Sequence, residues 1–197
     1  MALVQHPEGG YSFLPSALGA PFSGGVVASP GHEVVRATFT RAVPWRQAFA
    51  TIERYLQAQG RPRAALCALE LRCSEPYSRE GFGALNTQYR ALLESWGIIV
   101  DGNVSAARSN VAPVVLPPAE QSIYAFHYTV PAQGTVTPPT FFLSGAAETP
   151  TVRAGETSED ALREKTADVL ANLQRRMAQI PATWGDVTAV AVYTPHA

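Results

Sequence analysis

At 197 residues, with 46% hydrophobic and 16% charged residues, the chain can bury a proper core as one large domain or two small ones, and its composition is that of a lightly charged globular protein. A formal net charge of −1 argues against a nucleic-acid partner, because a phosphate backbone calls for a clustered basic face. No apolar run approaches the ~20 residues of a membrane span, and the opening MALVQHPEGG has neither a basic n-region nor an apolar h-region, so no membrane partner and a cytoplasmic location are expected.

Gly, Pro and Ser punctuate residues 1–31, which predicts short strands rather than helix. The β-branched run Glu33–Phe39 (EVVRATF) follows Gly31 and predicts a strand. A helix is predicted from Pro44, suited to a first helical position, to Gln59, with Gly60 as its C-terminal stop. Trp45, Phe49, Ile52 and Leu56 fall on one face of it. Ala64–Arg72 (AALCALELR) predicts a strand buried on at least one face. It holds Cys67 and is followed by Cys73, six residues on, too far along the strand for a disulfide, so reduced cysteines are expected. Ser78 can cap a second helix reaching Trp96, with Phe82, Leu85, Tyr89, Leu92 and Trp96 on one face and Gly97 as the stop. Strands are predicted at Ala107–Val115, broken by Pro117-Pro118, and at Ser122–Val130.

After a Pro/Thr/Gly linker over Pro131–Pro139 the pattern starts again. Thr140–Ser144 (TFFLS) predicts a strand, Thr157 with Asp160 resembles a capping box opening a helix to about Ile180, and Val187–Thr194 (VTAVAVYT) predicts a closing strand. A constant offset of 121 carries Phe49, Ile52 and Leu56 onto Leu170, Leu173 and Met177, and Leu66, Leu69 and Leu71 onto Val187, Val190 and Val192. An offset of 108 carries Val34–Val35 onto Phe142–Leu143. One register across helix and following strand points to an internal duplication.

Particular residues carry a resemblance. Ala107-Arg108-Ser109-Asn110-Val111, with Leu116-Pro117 after it, matches an ARS-x-V…LP signature, and Phe82…Asn86…Tyr89 matches an F-x-x-x-N-x-x-Y helix. Phe142-Leu143-Ser144-Gly145 and Trp184-Gly185-Asp186-Val187 match two further motifs in the second copy. Together they resemble the RidA/YjgF family. The resemblance implies an α/β (α+β) fold of chorismate mutase type, a sheet with two helices on one face, complete over residues 1–131 and repeated as a half-domain over 132–197. YSFLP, FSGGV, CALELR, GFGALN, PPAE and LREKT…RRMA are similar to two-domain members that act as 2-amino-5-chloromuconate deaminases. Such members continue with another helix and two strands, so the second unit is expected to be half of a domain, and the closing strand is expected to pair with the first domain or another subunit.

The resemblance also implies a site. Arg108 would grip the carboxylate of a small substrate, since a guanidinium offers a rigid fork of donors; the alternative is an Arg paired with an acid across a strand. Ser144 and Gly145 would help hold the ligand, or else form a strand-end turn. Position 36 of the first copy, aligned with Ser144, is Arg36, while the second copy does not reach an Arg108 equivalent, so one pocket shared between Arg108 of one domain and Ser144-Gly145 of another is expected. Asn86 would bond the ligand or a loop, and Asn110 could donate to the ligand. The acid that the family carries in its last strand is missing from Ser122–Phe126; Tyr124 stands nearest to its place, and Glu148 is the candidate general base, or a solvated loop acid.

The activity implied is hydrolytic deamination of an enamine or imine acid of the 2-aminomuconate kind, giving the oxo acid and ammonia with no cofactor. A chorismatase-like enol-ether hydrolase and a non-catalytic ligand-binding member are the alternatives. His6, His32, His127 and His196 show no metal-ligand spacing, so no metal site is expected. Self-association as a trimer is expected from the family.

Overall fold

The computed structural model describes residues 2–15 and 21–194, and shows a mixed α and β chain in which two four-stranded sheets are sandwiched between helices. The elements in order are β1 (Val4–His6), β2 (Tyr11–Leu14), β3 (Gly25–Ala28), β4 (His32–Pro44), α1 (Trp45–Ala58), β5 (Leu66–Arg72), α2 (Arg79–Glu94), β6 (Ile99–Val100), β7 (Asn103–Val104), β8 (Ala107–Val111), β9 (Ser122–Pro131), β10 (Phe141–Leu143) and α3 (Glu159–Met177). One sheet has the order β4-β9-β5-β8, antiparallel except for the parallel β5–β8 pair. The other has the order β1-β2-β3-β10, antiparallel throughout, so the predicted strand at 140–144 completes the N-terminal sheet. No helix among the described residues is long and apolar enough to cross a membrane.

Alternation of side chains along the strands sets the layer order. Leu66, Leu69, Leu71, Ile123 and Phe126 pack against Phe49, Ile52 and Leu56 of α1 and against Leu85, Tyr89 and Leu93 of α2, forming the main core. The opposite face of that sheet, through Ala68 and Ala107, meets Phe13 and Val26 of the N-terminal sheet. Leu14, Val27 and Leu143, on the other face of the N-terminal sheet, pack with Met177 and Ile180 at the end of α3. The layers therefore run α1/α2, sheet, sheet, α3.

The helices α1 and α2 stop as the glycines predict. Gly60 and Gly97 have φ +67 and +72, a left-handed conformation that glycine adopts without a Cβ clash. Arg61 N donates to Leu56 O at 2.8 Å and Gly60 N to Gln57 O at 3.0 Å, the paired bonds of a Schellman stop. Ile98 N and Gly97 N repeat the pattern on Leu93 O and Glu94 O, with Ile98 and Leu93 both fully buried. Ser78 caps α2 by accepting from Gly81 N at 3.1 Å.

Four expectations are corrected. The cap of α3 is Ser158, which accepts from Ala161 N at 3.3 Å, rather than Thr157; a side chain one residue earlier is out of reach of the first free N–H groups. The helix ends at Met177, short of Ile180. β8 ends at Val111 instead of 115, because Pro113 removes a ladder donor, and Val114, Val115 and Leu116 stand out in solvent. Residues 187–194 form no ladder with any described strand, and Val190 and Val192 are exposed. β-branched alternation says that a segment suits a pleated surface; a strand also needs a neighbour to bond. His196 lies outside the described residues.

Candidate active site

Strand alternation decides the direction of Arg108. Its neighbour Ala107 faces the N-terminal sheet, so the Arg108 side chain projects to the helix side of its own sheet, beneath α2. It is 91% buried there, at 9% exposure. On α2, Phe82, Asn86 and Tyr89 are spaced by four and three residues, which puts all three on one face. That face meets the guanidinium: Nη2 of Arg108 donates to Asn86 Oδ1 at 2.6 Å, and the cation lies 4.9 Å from the Tyr89 ring centre and 5.5 Å from that of Phe82. Phe22 closes the cage at 4.2 Å.

No described Asp or Glu forms an ion pair with Arg108, so the arginine is not half of an internal salt bridge. Aromatic faces offset part of the charge, yet burial still lowers the guanidinium pKa, opposed by the Tyr89 and Cys73 side chains. Nη1 is buried with no hydrogen-bond partner. A buried, uncompensated cation costs several kcal/mol, and an anion is the species that would relieve it.

Ser144 and Gly145 are adjacent to Arg108 in the same chain, at its backbone rather than its guanidinium. The Ser144 hydroxyl accepts from Arg108 N at 3.1 Å and donates to Ser23 O at 2.8 Å. Gly145 N donates to Arg108 O at 3.0 Å. Both groups are therefore engaged within the protein, where they lock the segment after β10 to the edge of β8 and to the residue beside Phe22. From α3, Arg176 Nη1 donates to Ser144 O at 2.8 Å, which fixes the same turn from the far side.

The other predicted residues stand apart from this group. Asn110 is on the same strand face as Arg108, one strand repeat along, and exposed. Glu148 lies on the exposed loop after Gly145. Tyr124 packs between two other guanidinia, 4.6 Å from that of Arg72 and 6.0 Å from that of Arg36. There Arg36 grips Glu70 with Nε at 2.6 Å and Nη2 at 3.0 Å, and His127 Nε2 lies 3.1 Å from the same carboxylate. Burial alone would raise the Glu70 pKa; the His127 and Arg36 hydrogen bonds outweigh it and hold the carboxyl down to about 2. Glu70 is thus a fixed anion on the sheet face away from Arg108.

Helical spacing puts Phe82 and Tyr89 on the apolar face of α2 and does not disclose the cage. The available signal was Asn86 inside an otherwise apolar helix face, since an unpaired amide there is unfavourable. Phe22 opens the family-like run FSGGV, but nothing local to that run points to Arg108, which it meets through tertiary packing.

Comparison with known proteins adds two findings. A family model described as 2-aminomuconate deaminase CnbZ matches residues 3–197. A protein of Comamonas testosteroni named 2-amino-5-chloromuconate deaminase is 36% identical over 202 residues, covering 98% of this chain and 79% of that protein. No solved structure matches.

Proposed function

The chain belongs to the 2-aminomuconate deaminase CnbZ family, and from that premise we propose that it hydrolytically deaminates an unsaturated amino dicarboxylate of the 2-aminomuconate kind. The observation that carries the reading is Arg108, buried under aromatic rings, bonded to a neutral amide and left with an open donor. Such a guanidinium binds a substrate carboxylate strongly, because the anion meets a charge already stripped of water.

In this reading the enamine converts to its imine tautomer, water adds to the imine carbon, and the carbon–nitrogen bond breaks to leave the oxo acid and ammonia. Arg108 holds the carboxylate and withdraws charge from the adjacent carbon, with Asn86 fixing the fork. Ser144 and Gly145 keep β8 and Phe22 in place. Glu148 is the proposed base for the water, and Glu148→Gln tests it: a kcat within about twofold of wild type removes Glu148 from the mechanism. Kinship with RidA/YjgF proteins, a trimer and a cytoplasmic setting belong to the same proposal; sedimentation of the purified chain checks the assembly.

Ammonia release from 2-aminomuconate is the decisive assay. Arg108→Met should lower kcat/KM by about a hundredfold or more and leave the melting temperature unchanged or higher, since an unpaired buried charge is removed. Binding of the dicarboxylate with no ammonia from the wild-type protein would instead identify a non-catalytic ligand-binding member.

A further inference from the structure

A second polar group at the Arg108 cage has no partner. The Tyr89 hydroxyl is buried and makes no hydrogen bond, as is true of Arg108 Nη1. Tyr89 is fully buried, with its ring centre 4.9 Å from the guanidinium carbon, and it lies one helical turn from Asn86 on the same face of α2.

Leaving a hydroxyl buried and unbonded is destabilising, because its bonds to water are lost and not replaced. Phenylalanine at this position would keep the ring against Arg108 and the core contacts, and would avoid that cost. The fold by itself therefore gains nothing from the oxygen. The hydroxyl could accept from Nη1, but the two do not pair. Both are donors, and what they lack in common is an acceptor. Burial pushes the phenol up to about 12, so it stays a neutral donor wherever a carboxylate is ionised.

We propose that the Tyr89 hydroxyl is a second donor to the substrate carboxylate held by Arg108, so that one anion closes both open positions. This rests on the deaminase reading and deepens it: the carboxylate end of the substrate sits inside the aromatic cage, beneath α2. Neither donor is open to solvent, so the ligand reaches them when a half-buried ring above the guanidinium, Phe22 or Phe82, moves aside.

Tyr89→Phe in the full chain tests the proposal, with Arg108→Met alongside. Three readouts are needed: calorimetric binding of muconate, an unreactive dicarboxylate; KM and kcat for ammonia release from 2-aminomuconate; and the melting temperature. Tyr89→Phe is expected to melt at or above the wild-type temperature, while the Kd for muconate and KM both rise about tenfold, equivalent to about 1.4 kcal/mol, with kcat changed less than threefold. Unchanged affinity in Tyr89→Phe, with affinity lost in Arg108→Met, overturns the role of Tyr89 and leaves the deaminase reading standing. A lower melting temperature with unchanged affinity does the same, by showing a structural hydroxyl. Wild-type protein that neither binds muconate nor releases ammonia sinks the deaminase reading and this proposal together.

Discussion

Asn86 and Arg108 show how one side chain sets the chemistry of another. A guanidinium has only donors, so the Asn86 amide must turn its oxygen toward Nη2, and the fork of Arg108 is thereby fixed with Nη1 open. Exchanging the amide for a carboxylate tests whether the cage is an anion site. In Asn86→Asp the new carboxylate would pair with Arg108 and neutralise it, so the protein should melt at the wild-type temperature or above it. The same internal anion competes with substrate, and KM should rise about tenfold or more. A raised KM accompanied by a clear fall in melting temperature would mean that Asn86 serves the fold alone. The sequence marks both residues, Arg108 by its motif and Asn86 by its place on an apolar helix face. It does not disclose that Ser144 and Gly145, from a second motif, bond the backbone of Ser23 and Arg108.

At the scale of elements, the buried Glu70 network joins three strands on the sheet face opposite the cage. Arg36 on β4, Glu70 on β5 and His127 on β9 meet because His127 is in register with both Arg36 and Ala68. The folded protein holds the Glu70 carboxyl at about 2, below its ordinary 4.5. Its contribution to stability is therefore fully present above about pH 4.5 and is lost as the pH falls toward 2. Glu70→Gln should cost about 1–2 kcal/mol at neutral pH, because the carboxylate is buried while the Arg36 guanidinium that loses it is half exposed and screened by solvent. It should also flatten the acid limb of the stability curve, which denaturant titrations between pH 2 and 7 would record. An unchanged acid limb in the variant would place the acid sensitivity elsewhere. This network is barely legible in the sequence: Glu70 is one acid in an apolar strand, and its partners come from positions 34 and 57 residues away.

For the whole molecule the decisive contact is β10 with β3. Phe141, Phe142 and Leu143 lie opposite Val27, Val26 and Gly25, so the later part of the chain completes the N-terminal sheet instead of building a sheet of its own. Phe142 also sets its ring 4.3 Å from His127, across the space between the two sheets. A partly buried phenylalanine in such a place contributes about 2 kcal/mol. Phe142→Ala should therefore lower the melting temperature of the entire chain by about 4–8 °C in one transition. Two separate calorimetric transitions, with only the smaller one shifted, would show that residues 132–197 fold as their own unit.

Local rules in the sequence determined the helices: caps at Ser78, stops at Gly60 and Gly97, and apolar faces at helical spacing, each of which acts within about one turn of the chain. Arg108 and Asn86 are marked in the sequence by motifs that resemble a family's, whose residue types and spacing survive any arrangement of sheets. Only the tertiary structure decided what those residues face. Phe22 packs in from a distant segment, the Tyr89 hydroxyl has no hydrogen-bond partner, Ser144 and Gly145 turn to backbone, and residues 187–194 form no ladder with a described strand. Each of these depends on which surfaces meet in the layer order, and a contact between segments far apart in the chain leaves no period or motif in either one.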